Sequence, residues 1–268
     1  MKYIDIHSHI AYGLDDGITN KEDMIQAIQS AKKQDYKAII MTPHITCGEH
    51  DQSYLDLIQS KFEELKAMGN DYGIDVYLGN ELLLNEKVYK MILNNSFHTI
   101  NQSKYVLVEA NLRDSSNEVE RVFDVCLNEL LSKGYVPILA HLERYFKDGI
   151  DLDYAQYLID KGCLIQVNTT SILDEGTYES DYRNAIALLD GHYVHFIASD
   201  AHRGKVNDMR VLNMEKAYDK LDKMGFDDDY LYDLMYENGK RIINNEEKEK
   251  IVCNQYKKRS IIKKLMYR

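Results

Sequence analysis

No stretch of this chain runs for about eighteen apolar residues, so no segment reads as a transmembrane helix. Met1-Lys2-Tyr3-Ile4-Asp5 passes straight into a strand pattern and lacks the apolar core of a signal peptide. Cysteine is sparse: Cys47, Cys126, Cys163 and Cys253 lie far apart and form no close pair. That argues against a disulfide framework and suits reduced thiols in a cytoplasmic protein. Positive charge is in deficit, with 33 Lys and Arg against 44 Asp and Glu and a net charge of −11. A general basic surface for nucleic acid is therefore disfavoured. There is no internal repeat and no Gly/Ser-rich or Pro-rich linker. Only two prolines occur, Pro43 and Pro137, each inside or beside a strand signal.

What is present is an ordinary globular composition, 268 residues with 44% hydrophobic and 29% charged, enough for one large domain or two small ones. Apolar runs at Tyr3–Ile6, Ala38–Thr42, Val76–Gly79, Tyr105–Val108, Val136–Ala140, Leu164–Val167 and Val194–Ser199 read as strands. Between them lie amphipathic stretches. In Asn117–Lys133, Val119, Val122, Phe123, Cys126, Leu127, Leu130 and Leu131 make one apolar helix face, and Gly134 follows as a left-handed end. Thr19 and Glu22 have capping-box spacing ahead of Ile25, Ile28 and Ala31. Further helices are expected over 51–69, 151–161, 179–190, 208–224 and 228–243. Strand–helix alternation implies a parallel sheet. Seven regular strand signals favour a closed βα barrel, with an open doubly wound sheet as the alternative. The barrel is expected over 1–246. Residues 247–268 form a basic tail, with Lys257, Lys258, Arg259, Lys263 and Lys264 in it. It reads as a solvated terminal helix or as a docking segment for a partner or an anionic surface.

Polar residues gather where these strands end. The first ends at His7 and His9, two residues apart and so on one side of a strand. Asp15-Asp16-Gly17 follows. The second ends at Pro43-His44, the third at Asn80-Glu81 and the fourth at Glu109. The fifth ends at His141 with Glu143-Arg144 after it, the sixth at Asn168, and the seventh at Asp200 and His202. In βα barrels the carboxyl ends of the strands carry the active site. His50, His98, His192 and His195 follow no strand end and read as structural. Imidazole and carboxylate without thiolate suit Mn²⁺, Fe or Zn²⁺. The nine candidates His7, His9, Asp16, His44, Glu81, Glu109, His141, Asp200 and His202 exceed what one ion can use. Three divalent ions would outweigh the four carboxylates, so the pocket would attract a phosphate on an acidic chain. Two or more such ions clamp a phosphoryl group and generate hydroxide at neutral pH.

These same residues carry a family resemblance. The Ile4–His9 start, Leu14-Asp15-Asp16-Gly17, Thr42-Pro43-His44, Gly79-Asn80-Glu81, His141-x-Glu143-Arg144-Tyr145 and Ala198-Ser199-Asp200-Ala201-His202 resemble the polymerase-and-histidinol-phosphatase (PHP) superfamily. Within it they resemble the bacterial manganese-dependent protein-tyrosine phosphatases of capsule and exopolysaccharide loci. The resemblance implies a single-domain, distorted (β/α)7 barrel and three divalent ions, manganese first, with Fe, Zn²⁺ or Mg²⁺ as alternatives. It implies His7, His9, Glu81 and Asp200 on one ion, Glu81, Glu109 and His141 on a second, and Asp16, His44 and His202 on a third. It also implies Arg144 on the phosphate, and a phosphotyrosine-bearing bacterial tyrosine kinase or its tail as substrate. Three departures stand out: Leu142 where the family has Pro, Ala11-Tyr12-Gly13 where it has a Leu-Pro-Gly-like loop, and the second arginine. Met214, Ala217 and Tyr218 place that arginine at Arg210, with Arg203 as the rival.

The expected reaction is in-line attack of a metal-activated hydroxide on phosphotyrosine, with no phospho-enzyme. Three other readings stand beside it. One is a phosphatase for a small phosphate monoester such as histidinol phosphate. Another is a weakly active regulatory subunit docking a kinase through the tail. The last is a cysteine phosphatase built on Cys253 and Arg259, which have the required spacing but no glycine between them.

Overall fold

The computed structural model describes residues 1–45, 52–177, 179–204, 208 and 210–253. Cys47, His50, Arg259 and most of the basic tail lie outside the described residues. All seven expected strands form: β1 (Tyr3–Ser8), β2 (Tyr36–Met41), then, beyond a short β3 (His44–Ile45), β4 (Asp75–Leu78). A second short strand, β5 (Glu81–Leu83), precedes β6 (Tyr105–Glu109), β7 (Val136–Leu139), β8 (Leu164–Asn168) and β9 (Phe196–Ala198).

β3 and β5 are continuations of β2 and β4. Pro43 has no N–H to give a ladder and interrupts the first; Gly79-Asn80 interrupts the second. Beyond the breaks the two strands pair again, His44 opposite Glu81. Every pairing is parallel, in the orders β1-β2-β4 and β3-β5-β6-β7-β8-β9. At the far side the Asp200 N–H donates to the His7 carbonyl (2.9 Å) and the His9 N–H to the Ala201 carbonyl (2.8 Å). A parallel bridge joins Ser8 to Ala201. The last strand thus returns to the first, and the seven strand positions follow the distorted (β/α)7 plan.

The helices are α1 (Lys21–Lys33), α2 (Gln52–Tyr72), α3 (Glu86–Asn94), α4 (Ser116–Ser132), α5 (Leu152–Lys161), α6 (Thr169–Leu173), α7 (Glu179–Gly191), α8 (Met214–Met224), α9 (Asp228–Tyr232) and α10 (Asn238–Ile243). Several bounds differ from those expected. Asn20, not Thr19, caps α1, accepting from the Asp23 N–H. α8 starts at Met214 rather than 208, and α3 falls where no helix was expected. The helix expected over 228–243 is broken by a π turn, Asp233–Glu237.

Strand alternation divides the core in two. Ile4, Ile6, Ala38, Ile40, Leu107, Ile138 and Phe196 form an inner cluster closed from below by Ile242, Ile243 and Ile251. Their neighbours Ile39, Val106, Leu139, Ile165 and Ile197 face the helices. Gly239 lets α10 lie against β1, since a Cβ there would stand 2.8 Å from Ile4 Cγ2. Residues 251 and 253 are buried, so the chain just past 246 still belongs to the packed body. Phe123 of α4, wholly buried, meets the Tyr145 ring edge-on at 5.8 Å. Phe123→Ala should cost about 3–5 kcal/mol in denaturant unfolding, with or without chelator.

Candidate metal centre

All nine expected ligand residues converge at the carboxyl edge of the strands. Glu81, the first residue of β5, is at the middle and fully buried. Its Oε2 lies 3.1 Å from His7 Nε2, 3.2 Å from His9 Nε2 and 3.1 Å from His44 Nδ1. Its Oε1 lies 3.1 Å from His141 Nε2. Asp200 Oδ1 closes the other side, 3.4 Å from His7 Nε2 and 3.2 Å from His202 Nδ1. Glu109 Oε1 stands 3.0 Å from His44 Nδ1, and Asp16 Oδ1 bridges His44 Nε2 (3.3 Å) and His202 Nε2 (3.2 Å).

Local backbone geometry produces this convergence. β1 ends at Ser8 and its pairing with β2 slips between Asp5 and Ser8, so His9 sits beyond the strand. His141 (φ 35°) and Asp200 (φ 51°) both take the left-handed conformation. Such backbone costs on the order of 1–3 kcal/mol for a residue with a side chain. Gly17 presses the Asp-rich loop onto His9: a Cβ there would be 2.2 Å from the His9 carbonyl oxygen.

The donor set fits divalent cations. His9 Nδ1 faces Asp15 Oδ2 at 2.8 Å and His7 Nδ1 faces Gln166 Oε1 at 3.1 Å. Each ring therefore turns Nε2 inward, and the two Nε2 atoms stand 3.1 Å apart beside the Glu81 and Asp200 oxygens. Buried Glu81 Oε2 and His44 Nδ1 have no hydrogen-bond partner although they are 3.1 Å apart. Only a cation, proton or metal, relieves so many inward lone pairs. Among the described residues three overlapping sets of donors lie close together: His7, His9 and Glu81; His44, Glu81 and Glu109; His9, His44 and His202, with Asp16, His141 and Asp200 in none of them. His44 thus stands between two groups, where the family pattern would give it to one.

Titration follows from this crowding. Burial pushes against charge on His9, but Asp15 outweighs it and raises the ring to about 9. Asp15, opposed by burial, is brought down to about 2 by His9. Burial likewise opposes ionised Glu81, yet His7 and His44 hold its carboxyl well below the ordinary range. Asp15, an orienting partner rather than one of the nine, escapes a sequence reading because its neighbour Asp16 has the same chemistry.

The arginines separate cleanly. Arg144 Nη1 is 3.5 Å from Asp200 Oδ2, and with Arg210 it lines a cavity of ≈ 400 Å³. Arg210 also packs its guanidinium on the His202 ring. Arg203 instead donates to the backbone carbonyls of Asp16 (3.0 Å), Gly17 (3.3 Å) and His202 (2.8 Å), holding the loop and not facing that cavity. A second cavity, ≈ 520 Å³, adjoins Asp16, His44 and Glu109 and is walled by Leu14, Tyr54 and Leu112. Leu142 is fully buried where the family has Pro, and the Tyr12 hydroxyl donates to Glu64 on α2 at 3.1 Å. His192 and His195 pack on the C-terminal segment: His192 Nδ1 is 3.0 Å from the Cys253 carbonyl oxygen and His195 Nε2 is 3.4 Å from Cys253 Sγ. Burial raises the Cys253 thiol to about 12, which keeps it protonated and unlike a catalytic thiolate.

Fold and site together define the class of α/β barrel proteins with a histidine–carboxylate cluster at the carboxyl ends of their strands. Residues 3–244 match the family model "Capsular polysaccharide synthesis, CpsB/CapC", and the chain belongs to that family. It is 29% identical over 255 residues to CapC of Staphylococcus aureus, covering 94% of this chain and 95% of CapC. It superposes on a solved structure from work on YwqE of Bacillus subtilis and CpsB of Streptococcus pneumoniae, described as metal-dependent tyrosine phosphatases. The TM-score is 0.75 at 25% identity, covering 91% of this chain and 95% of the other. Histidinol phosphate phosphatase of Lactococcus lactis shares the fold alone, with a TM-score of 0.55 and 15% identity over 85% of this chain and 95% of its own.

The His9–Asp15 pair makes a pH prediction for chelator-treated protein. His9 is raised above its ordinary 6.5 to about 9. Its contribution to stability is therefore full below pH 6.5 and lost as pH rises through about 9. Thermal unfolding followed across that window should show the decline, and Asp15→Asn should flatten it.

Proposed function

We propose that this chain is a metal-dependent protein-tyrosine phosphatase. Its substrate would be phosphotyrosine on a bacterial tyrosine kinase, or the tail of one, that regulates capsule or exopolysaccharide synthesis in the cytoplasm. The observation that carries the reading is the convergence of the His7, His9, Glu81 and Asp200 donor atoms, which a divalent ion would relieve. The full-length likeness to proteins named as tyrosine phosphatases supports the substrate class. Among the described residues no helix is long and apolar enough to cross a membrane.

His7, His9, Asp16, His44, Glu81, Glu109, His141, Asp200 and His202 would hold three divalent ions, manganese first. When bound, the ions supply Lewis-acid neutralisation of phosphoryl charge and a nucleophile drawn from water near neutral pH. Arg144 and Arg210 would take the non-bridging phosphate oxygens, because both guanidiniums face one cavity beside Asp200. A planar guanidinium suits that task through paired N–H donors. The Leu14, Tyr54 and Leu112 wall of the cavity beside Asp16, His44 and Glu109 offers apolar surface to an aromatic leaving group. That feature favours an aryl phosphate over histidinol phosphate. A buried, protonated Cys253 gives no support to covalent catalysis.

The deciding measurement is hydrolysis of a phosphotyrosine peptide and of histidinol phosphate, before and after chelation and manganese replacement. Activity on the peptide should vanish on chelation, return with metal and exceed that on histidinol phosphate. His7→Ala and His9→Ala should be inactive. Arg144→Ala should lower kcat/KM by about 10²–10³-fold, while Cys253→Ser changes little. Activity that resists chelator and dies in Cys253→Ser would falsify the metal mechanism.

A further inference from the structure

β8 brings no charged side chain to the cluster, yet two of its residues tie three strand ends together. Gln166 and Asn168 are wholly buried and two residues apart, on one face of the strand. Gln166 Oε1 lies 3.0 Å from the His141 backbone nitrogen and 3.1 Å from His7 Nδ1. Gln166 Nε2 lies 2.8 Å from Asn168 Oδ1, and Asn168 Nδ2 lies 2.9 Å from Asp200 Oδ2.

Both ends of this chain of hydrogen bonds fix its direction. A backbone N–H can only donate, so Gln166 Oε1 is the acceptor at His141. Its Nε2 must then donate to Asn168 Oδ1, which leaves Asn168 Nδ2 to donate to Asp200. An ionised carboxylate only accepts, so the far end agrees. Facing an acceptor, His7 Nδ1 carries the hydrogen and Nε2 keeps its lone pair, aimed at Glu81 and Asp200.

We propose that Gln166 and Asn168 are positioning residues for cation binding: one directed amide relay sets the His7 tautomer, holds the left-handed His141 backbone and orients Asp200. The inference rests on reading the cluster as a cation centre. The relay needs a group that accepts twice and also donates. A carboxylate at 166 could accept from His7 and His141 but would have nothing to donate to Asn168. An apolar side chain would leave both N–H groups buried and unpaired. Asn168→Asp would keep the acceptor for Gln166 and remove the donor to Asp200.

The test uses the full chain loaded with zinc, which is diamagnetic. Zinc affinity is read by calorimetry, and the His7 tautomer by long-range ¹H–¹⁵N correlation. Wild type should bind zinc with hydrogen on His7 Nδ1. Gln166→Leu should weaken zinc binding about 10–100-fold. Gln166→Glu and Asn168→Asp, near in size and able to keep the fold, should hold the His7 tautomer and still bind zinc more weakly. Zinc affinity in all three variants equal to wild type overturns the proposal, even if unfolding of the metal-free protein comes at lower temperature. A wild type with hydrogen on His7 Nε2 overturns it too. A wild type that binds no zinc removes the cation reading itself, a different failure from unchanged affinity in the variants.

Discussion

Glu81 is the constraint around which the site is arranged. A carboxylate with no solvent exposure is costly unless charge and hydrogen bonds surround it, by several kcal/mol for an isolated ion. Here four imidazoles come within 3.1–3.2 Å of its two oxygens, from β1, the loop after it, β3 and the end of β7. The carboxylate and the rings therefore depend on one another. His7, His9 and His44 also face Asp200, Asp15 and Glu109, but all four rings meet on Glu81, and the barrel must close for that to happen. The broken second and third strands follow from the same demand. Pro43 and Gly79-Asn80 halt the ladders, and the chain re-pairs one step on with His44 opposite Glu81.

Much of the fold was legible because it rests on local pattern. Seven apolar runs became seven strands, and the helix expected at 117–133 formed one residue earlier with its Gly134 end at φ 84°. What was not legible depended on packing at a distance. α3 spans only nine residues, with Val88, Met91 and Ile92 buried, too short a repeat to rise above its polar neighbours. The π turn at 233–237 is invisible in a periodicity that changes little when one residue is inserted. α8 begins late, after Asn213, whose side chain is tied to Thr169 on α6, and nothing near 208 in the sequence signals that contact.

The site divides along the same line. Charged and imidazole groups at strand ends announce themselves, since a barrel puts every strand end on one rim. Spacing to Met214, Ala217 and Tyr218 points to Arg210 but leaves Arg203 as a rival. The choice becomes a geometric difference once Arg203 is seen donating to three backbone carbonyls while Arg210 shares a cavity with Arg144. The partners that orient the candidate ligands are harder still. Asp15 differs from Asp16 only in which ring it faces, and Gln166 looks like any polar residue in a strand. Their roles lie in the direction of hydrogen bonds, and direction is set by what stands opposite. The His141 N–H makes Gln166 an acceptor, which in turn decides which His7 nitrogen keeps its lone pair. A sequence lists the groups that can bind a cation. Which atom of each is turned toward it is decided by neutral neighbours that carry no charge pattern to read.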